Sequence, residues 1–168
     1  MKLGKLFKNF QLEKIRLSQR GVSVDISFKP SDRDAAWELY IELLTRIVTQ
    51  PLPGEAGEEE AALASVHSIF ETTREILREQ GRNTIEFSKV AVPVLNQVVR
   101  PFTAKWHGES SCGALGDTDK QQEFRRELAI LQEDLRNYNR LLAEIAGVED
   151  LTDLEPIGKT SNVPSFAT

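Results

Sequence analysis

The feature that most constrains this chain is a long repeat of apolar residues near its C-terminal end. Between residues 119 and 146, apolar side chains recur at alternating steps of four and three, at Phe124, Leu128, Leu131, Leu135, Tyr138, Leu142 and Ile145. This heptad spacing is typical of helices that pack in left-handed bundles. We therefore predict a long helix that ends at Gly147 and requires partner helices.

Three earlier segments supply those partners. The first opens at residues 30–34, with Ser31 as the predicted N-cap, and its apolar stripe is Trp37, Tyr40, Ile41, Leu44, Ile47 and Val48. The second begins near residues 58–60 and ends at Gly81. The third spans about residues 83–108 and is apolar nearly all round, so we expect it to be the most buried helix. Pro93 and Pro101 should bend or break it.

Alternating apolar residues precede the helices. They lie at Ile15, Leu17, Val22, Val24, Ile26 and Phe28, with a turn-like stretch at residues 18–21. Period two predicts a β-hairpin of residues 11–17 and 22–28. Residues 1–10 fit either a helical face or an extension of the first strand. The predicted fold is mainly α, a four-helix up-and-down bundle preceded by an N-terminal β-hairpin, with an extended C-terminal tail.

A length of 168 residues favours a single domain. We assign it to residues 1–147, with a basic arm and hairpin at 1–29, the bundle at 31–147, and an extended or disordered tail at 148–168. The sequence has no apolar run long enough for a transmembrane helix and no apolar signal-peptide core at its start. A single cysteine, Cys112, suits a reducing compartment, so we expect a cytoplasmic location.

Positive charge is concentrated at the N-terminal end of a chain whose net charge is −5. Its first twenty residues carry one acid, Glu13, and six basic residues, Lys2, Lys5, Lys8, Lys14, Arg16 and Arg20. A basic end on an acidic body suggests an arm that binds an anionic partner, such as an acidic protein face, a phospholipid surface or nucleic acid. The alternative is a solvated edge strand, where lysine deters pairing with other sheets.

Motifs for cofactor chemistry are lacking. The sequence has no glycine-rich phosphate loop, and Cys112 with His107 lacks a third group to orient the base. A di-iron bundle repeats a Glu-x-x-His motif on two of its helices. Here His67 and Glu71 form only one approximate pair, so they do not indicate such a site. We therefore predict no metal, no small-molecule cofactor and no assigned catalytic residue.

One segment offers an alternative chemistry. In Arg100-Pro-Phe-Thr-Ala-Lys-Trp-His107, the arginine and histidine are seven residues apart, which is nearly two helical turns. The arginine could hold a phosphate and the histidine could move protons. The spacing resembles the Arg-x(4–6)-His motif of HEPN ribonucleases, which are all-helical and act as dimers. That resemblance implies metal-independent RNA cleavage by Arg100 and His107. Pro101 departs from the motif, which commonly has a polar residue there.

A second resemblance involves residues 37–52, WELYIELLTRIVTQPL, and residues 100–107, RPFTAKWH. Both look like segments of small uncharacterised bacterial proteins, some of them associated with anti-phage defence. The resemblance implies a bacterial accessory protein of a larger assembly and assigns no catalytic residue. We therefore predict a non-enzymatic protein-interaction module that acts as an accessory or regulatory subunit, bound to another chain of the same or a different kind. A HEPN-like ribonuclease is the alternative, and peripheral membrane or nucleic-acid binding is a third.

Overall fold

A computed structural model describes residues 3–12, 26–46, 49 and 59–153. Its helices are α1 (Leu3–Asn9), α2 (Pro30–Leu44), α3 (Glu59–Gln80), α4 (Ile85–Val94), α5 (Arg100–Ser111) and α6 (Thr118–Ala146). A π-helical segment, Leu95–Val99, joins α4 to α5, and short 3₁₀ turns occupy Gly81–Thr84 and Ala114–Gly116. No described helix is long and apolar enough to cross a lipid bilayer.

The long helices run alternately up and down. Cross-helix contacts that fix these directions are Glu38–Gln80 and Arg46–Ser68 between α2 and α3, His67–His107 and Arg100–Phe70 between α3 and α5, and Lys105–Glu123 between α5 and α6. In addition, α6 packs along α2. The helical-bundle part of the predicted fold is compatible with this arrangement.

The predicted N-terminal β-hairpin is wrong, because none of the described residues forms a strand. Residues 11–12 and 26–28, which the hairpin would have included, are not extended partners of each other, and residues 13–25 lie outside the described part. Buried Leu12 and Ile26 belong to the helical core instead. The alternating pattern indicates which side chains are buried, but not that they lie in strands. A two-stranded hairpin alone is also only marginally stable in water.

The N-terminal segment forms α1, the helical one of its two predicted alternatives. Its apolar face, Leu3, Leu6 and Phe7, is buried in the same core as the long helices, while Lys5 and Lys8 are exposed. A helix this short is unstable alone in water, and burial of its apolar face must therefore stabilise it. The segment is therefore part of the core rather than a free arm.

The heptad prediction for α6 is confirmed, since all seven predicted apolar residues are buried. At its start, the Asp117 side chain accepts hydrogen bonds from the backbone N–H groups of Asp119 and Lys120, both at 3.0 Å. At its end, Gly147 has a φ of 75°, the left-handed conformation that glycine adopts without strain. The helix thus has the ends and the buried stripe that its sequence predicts.

Two details of α2 differ from the sequence prediction. Ser31 is not the N-cap, since its hydroxyl donates to the carbonyl of Asn83, and Asp32 instead accepts from the backbone N–H of Lys29. The buried face also differs from the predicted stripe, and it consists of Asp32, Ala35, Ala36, Leu39, Tyr40 and Leu43. Two small residues of this face, Ala35 and Ala36, are fully buried, whereas Trp37 and Ile41 are exposed.

The proline-containing helix does not break. The backbone stays helical from Ile85 to Ser111, with the π segment Leu95–Val99 in its middle. There, the N–H of Arg100 donates to the carbonyl of Leu95, five residues back. Pro101 directly follows this π segment, where the α-helical hydrogen-bond pattern is already interrupted. The helix also extends beyond its predicted end near residue 108, because α5 continues to Ser111.

Residues 148–153 lie against the bundle. The hydroxyl of Tyr40 accepts a hydrogen bond from the N–H of Leu151 at 2.6 Å, and Nη2 of Arg140 donates to both carboxylate oxygens of Asp153. Thr152 is buried and bonds to Asn139. The first part of the predicted tail is therefore ordered against α2 and α6, and residues 154–168 lie outside the described part.

Candidate functional site

A groove between α2 and α3 is lined by apolar and acidic side chains. Its cavity volume is about 320 Å³. It is lined by three apolar side chains, Trp37, Ile41 and Ile76, by Thr72, and by four carboxylates that we call the acidic rim, Glu38, Glu42, Glu75 and Glu79. We call these eight residues the acidic groove. It combines exposed apolar surface with charge of one sign, as at sites that bind an amphipathic partner.

Trp37 is the most notable residue of the acidic groove. It is 43% exposed, and neighbouring Ile41, one helical turn away, is 38% exposed. The indole ring stacks on Tyr40, with ring centroids 5.9 Å apart and an interplanar angle of 27°. Tyr40 is itself buried and bonded to the 149–151 segment, and its burial raises the pKa of the phenol. The exposed indole therefore rests on a rigid base.

The acidic rim comprises two rows of carboxylates. Along each helix they are spaced by four residues, so neighbours in a row lie close together and repel each other. On the α2 side, Glu42 pairs with Arg46 and Glu38 accepts a hydrogen bond from Gln80. On the α3 side, Glu75 and Glu79 form no ion pair with any residue the structure describes. The rim therefore retains negative charge that a cationic ligand would neutralise.

A second group of side chains lies on the other side of α3, facing α5. It consists of His67, Phe70 and Arg74 from α3, and Arg100 and His107 from α5, and we call it the α3–α5 strip. The rings of His67 and His107 meet edge to face, with centroids 4.8 Å apart. Both guanidinium groups lie over the ring of buried Phe70, Arg74 at 5.8 Å and Arg100 at 5.2 Å. Each is within the range of a cation–π contact.

Arg100 is held in place within this strip. Its Nε–H donates to Oδ1 of Asn96 at 3.0 Å, and its guanidinium also contacts Phe70. Neither Arg100 nor Arg74 forms an ion pair with a described residue. All four polar side chains of the strip are exposed. The strip therefore offers fixed, unneutralised cationic groups to solvent.

The structure thus places Arg100 and His107, the pair singled out by spacing, along one face against α3. Sequence reasoning missed His67 and Arg74, which α3 contributes to the same face. His67 and Arg74 are also seven residues apart, the same spacing as Arg100 and His107. An antiparallel alignment of α3 and α5 brings two such pairs together, and this repeated spacing is the signal that could have revealed them.

The basic residues predicted to bind a partner are only partly described. Lys5 and Lys8 are exposed on α1. Lys2, Lys14, Arg16 and Arg20 lie outside the described residues. Within the part that the structure covers, no cluster of three or more His, Cys, Asp or Glu side chains could hold a metal ion.

Comparison of the chain with protein-family models, with curated proteins and with solved structures found no significant match. The functional argument therefore depends on the two surfaces themselves.

Proposed function

We propose that this protein is a non-enzymatic interaction module, an accessory or regulatory subunit that binds a cationic amphipathic segment of another protein in the acidic groove. The observation that carries the proposal is the pair of exposed apolar side chains, Trp37 and Ile41, in a groove that four carboxylates also line. Tryptophan in a pocket is a typical anchor of protein interfaces. We propose a bacterial complex as the setting, an expectation that follows from the sequence resemblance of residues 37–52 alone.

The two parts of the groove would contribute differently. Burial of the indole and of Ile41 supplies most of the binding free energy, because apolar surface leaves water. The carboxylates chiefly speed association and select the charge of the partner, and their effect falls as salt rises. A helix with apolar residues on one face and Lys or Arg along both flanks satisfies both requirements.

The exposed Lys5 and Lys8 of α1 support a second contact with the same partner. We propose that they act with Lys2, Lys14, Arg16 and Arg20 on an anionic face of it. The acidic groove and the basic N-terminal segment would then bind regions of opposite charge.

The test uses two synthetic amphipathic helical peptides with the same leucine face, one flanked by lysine and one by glutamate. We expect only the lysine-flanked peptide to bind, with a blue shift of the Trp37 fluorescence as the indole leaves water. Ile41→Ala should weaken binding about tenfold, which corresponds to roughly 1.4 kcal/mol. The matched control is Ile85→Ala, which truncates another exposed isoleucine outside the groove.

Replacing both Glu75 and Glu79 by Gln should weaken binding at low salt and reduce its dependence on salt. Equal binding of the two peptides, or equal effects of Ile41→Ala and Ile85→Ala, would contradict the proposal.

A second candidate function is metal-independent RNA cleavage, as the HEPN-like spacing implies. The specific observation in its favour is that Arg100 and His107 share one exposed face, where His67 adds a second imidazole. One histidine could accept the proton of a ribose 2′-hydroxyl while the 2′-oxygen attacks the adjacent phosphorus. The other histidine could protonate the 5′-oxygen as it leaves.

Cleavage is tested with purified protein and single-stranded RNA in the presence of a chelator. Because we propose an interaction module, we expect no cleavage above that of a His107→Ala preparation. Robust cleavage by the wild type that disappears in His107→Ala, with an unchanged circular dichroism spectrum, would make the ribonuclease the leading function.

A further inference from the structure

We infer that the α3–α5 strip is a binding site for a phosphate group. The site is separate from the acidic groove, on the other side of α3, and it does not require that the protein cleave RNA. Four exposed donor groups, two guanidinium and two imidazole, lie together there. Both arginines and His67 contact the buried ring of Phe70, and His107 contacts His67.

The two arginines provide the charge. A planar guanidinium can donate two parallel hydrogen bonds to phosphate oxygens. Because the Nε–H of Arg100 is bonded to Asn96, the guanidinium has a fixed orientation, and its two terminal NH₂ groups have no partner among the described residues. Four other arginines of the bundle are neutralised instead, since Arg46, Arg125, Arg136 and Arg140 each pair with a carboxylate.

The aromatic ring orders the cations before any ligand arrives. Phe70 is 5% exposed and lies under both guanidinium groups. Flexible side chains lose conformational entropy when they bind a ligand, and a side chain that is already held loses less. The ring contact and the Asn96 hydrogen bond therefore favour binding without adding any charge.

The histidines extend the site along the two helices. Their rings contact each other, and each imidazole has ring nitrogens that can donate to an anion. The residues from His67 to Arg74 span about 10 Å along α3 at 1.5 Å per residue, and those from Arg100 to His107 span the same length on α5. A ligand with more than one phosphate, or a short stretch of single-stranded nucleic acid, could therefore contact both ends of the strip.

One neighbouring carboxylate opposes anion binding. Glu71 follows His67 by one helical turn and is exposed, and it forms no ion pair with the strip arginines. Its charge reduces the local positive potential, and the protein as a whole is also anionic. Removal of this charge should therefore strengthen phosphate binding, a direction that a merely structural role of the strip would not produce.

The chain provides its own reporter for the test, because His67 and His107 are its only histidines. Their ring signals in NMR spectra can be followed during titration with inorganic phosphate, with sodium chloride of matched ionic strength as the reference. A single-stranded oligouridylate is the second probe. We expect both histidine signals to shift with phosphate beyond the shift caused by chloride.

Arg74→Gln and Arg100→Gln should each weaken binding about tenfold, which corresponds to roughly 1.4 kcal/mol, because each substitution removes hydrogen bonds between charged groups. Glu71→Gln should strengthen it. Arg126→Gln, which removes an exposed arginine of α6, is the matched control and should have little effect. Circular dichroism checks that each variant is folded.

The two probes distinguish the sources of the phosphate. Comparable binding per phosphate indicates a small-molecule ligand, and much tighter binding of the oligouridylate indicates nucleic acid; both support the site. Histidine shifts no larger than those with chloride for both probes, or full binding by the Arg74→Gln, Arg100→Gln double variant, would overturn it. Peptide binding in the acidic groove is measured through Trp37, so failure of either proposal leaves the other measurable.

Discussion

Trp106→Ala is expected to lower the free energy of unfolding by about 3–5 kcal/mol, the usual cost of truncating a buried large aromatic side chain. Trp106 is fully buried where α5 meets α6. Its ring packs edge to face on Phe124, with centroids 5.0 Å apart, and its Nε1–H donates to Glu127 at 2.9 Å. The substitution therefore leaves a cavity and an unpaired carboxylate oxygen, and chemical denaturation of the purified protein measures the loss.

Trp106→Phe is the matched control. It retains most of the apolar ring but removes the hydrogen bond to Glu127, so the expected loss is smaller, about 1–2 kcal/mol. Lys105 should limit the disturbance of the carboxylates, because it pairs with Glu123 and Glu127, and these contacts raise its pKa. Equal destabilisation by alanine and phenylalanine would show that the hydrogen bond, rather than the packing, dominates at this position.

Features that depend on neighbouring residues could be predicted from the sequence. The heptad of α6 appears in full, because burial on one face of a helix directly sets the spacing of apolar residues. Gly81 and Gly147 were expected at helix ends, and both have a positive φ. The start of α2 was placed correctly, although the capping side chain is Asp32 rather than Ser31.

Features that depend on the packing of distant segments could not be predicted. On α2, large apolar residues suggested a core face, but the small residues Ala35 and Ala36 pack inward and Trp37 points outward. At the N-terminus, alternation of apolar residues suggested a hairpin where the structure has no described strand. In both cases the sequence shows which residues are apolar but not which surface will cover them.

The candidate sites show the same division. Arg100 and His107 could be found from spacing along one helix. The pairing of His107 with His67, however, depends on how α3 and α5 align, and the acidic groove depends on how α2 and α3 align. Neither alignment can be inferred from the local sequence, so only the structure shows that these residues lie together.

Long-range packing also underlies the last prediction, that Asp32→Ala lowers the free energy of unfolding by about 3 kcal/mol. Asp32 is fully buried, and its two carboxylate oxygens accept hydrogen bonds from the backbone N–H groups of Lys29 and Phe87, both at 2.9 Å. One side chain therefore satisfies free N–H groups at the starts of two helices, α2 and α4. Loss of each bond to a charged acceptor costs roughly 1.5–3 kcal/mol.

Asp34→Ala is the control for Asp32→Ala, since it removes an exposed acid from the same first turn of α2. It should cost less than 1 kcal/mol, about the value of a charge near a helix N-terminus. Asp32→Asn should lie between the two, because its single amide oxygen can accept from only one of the two N–H groups without rearrangement. If chemical denaturation gave equal losses for Asp32→Ala and Asp34→Ala, the cross-helix bond to Phe87 would contribute nothing, and packing alone would hold α4 against α2.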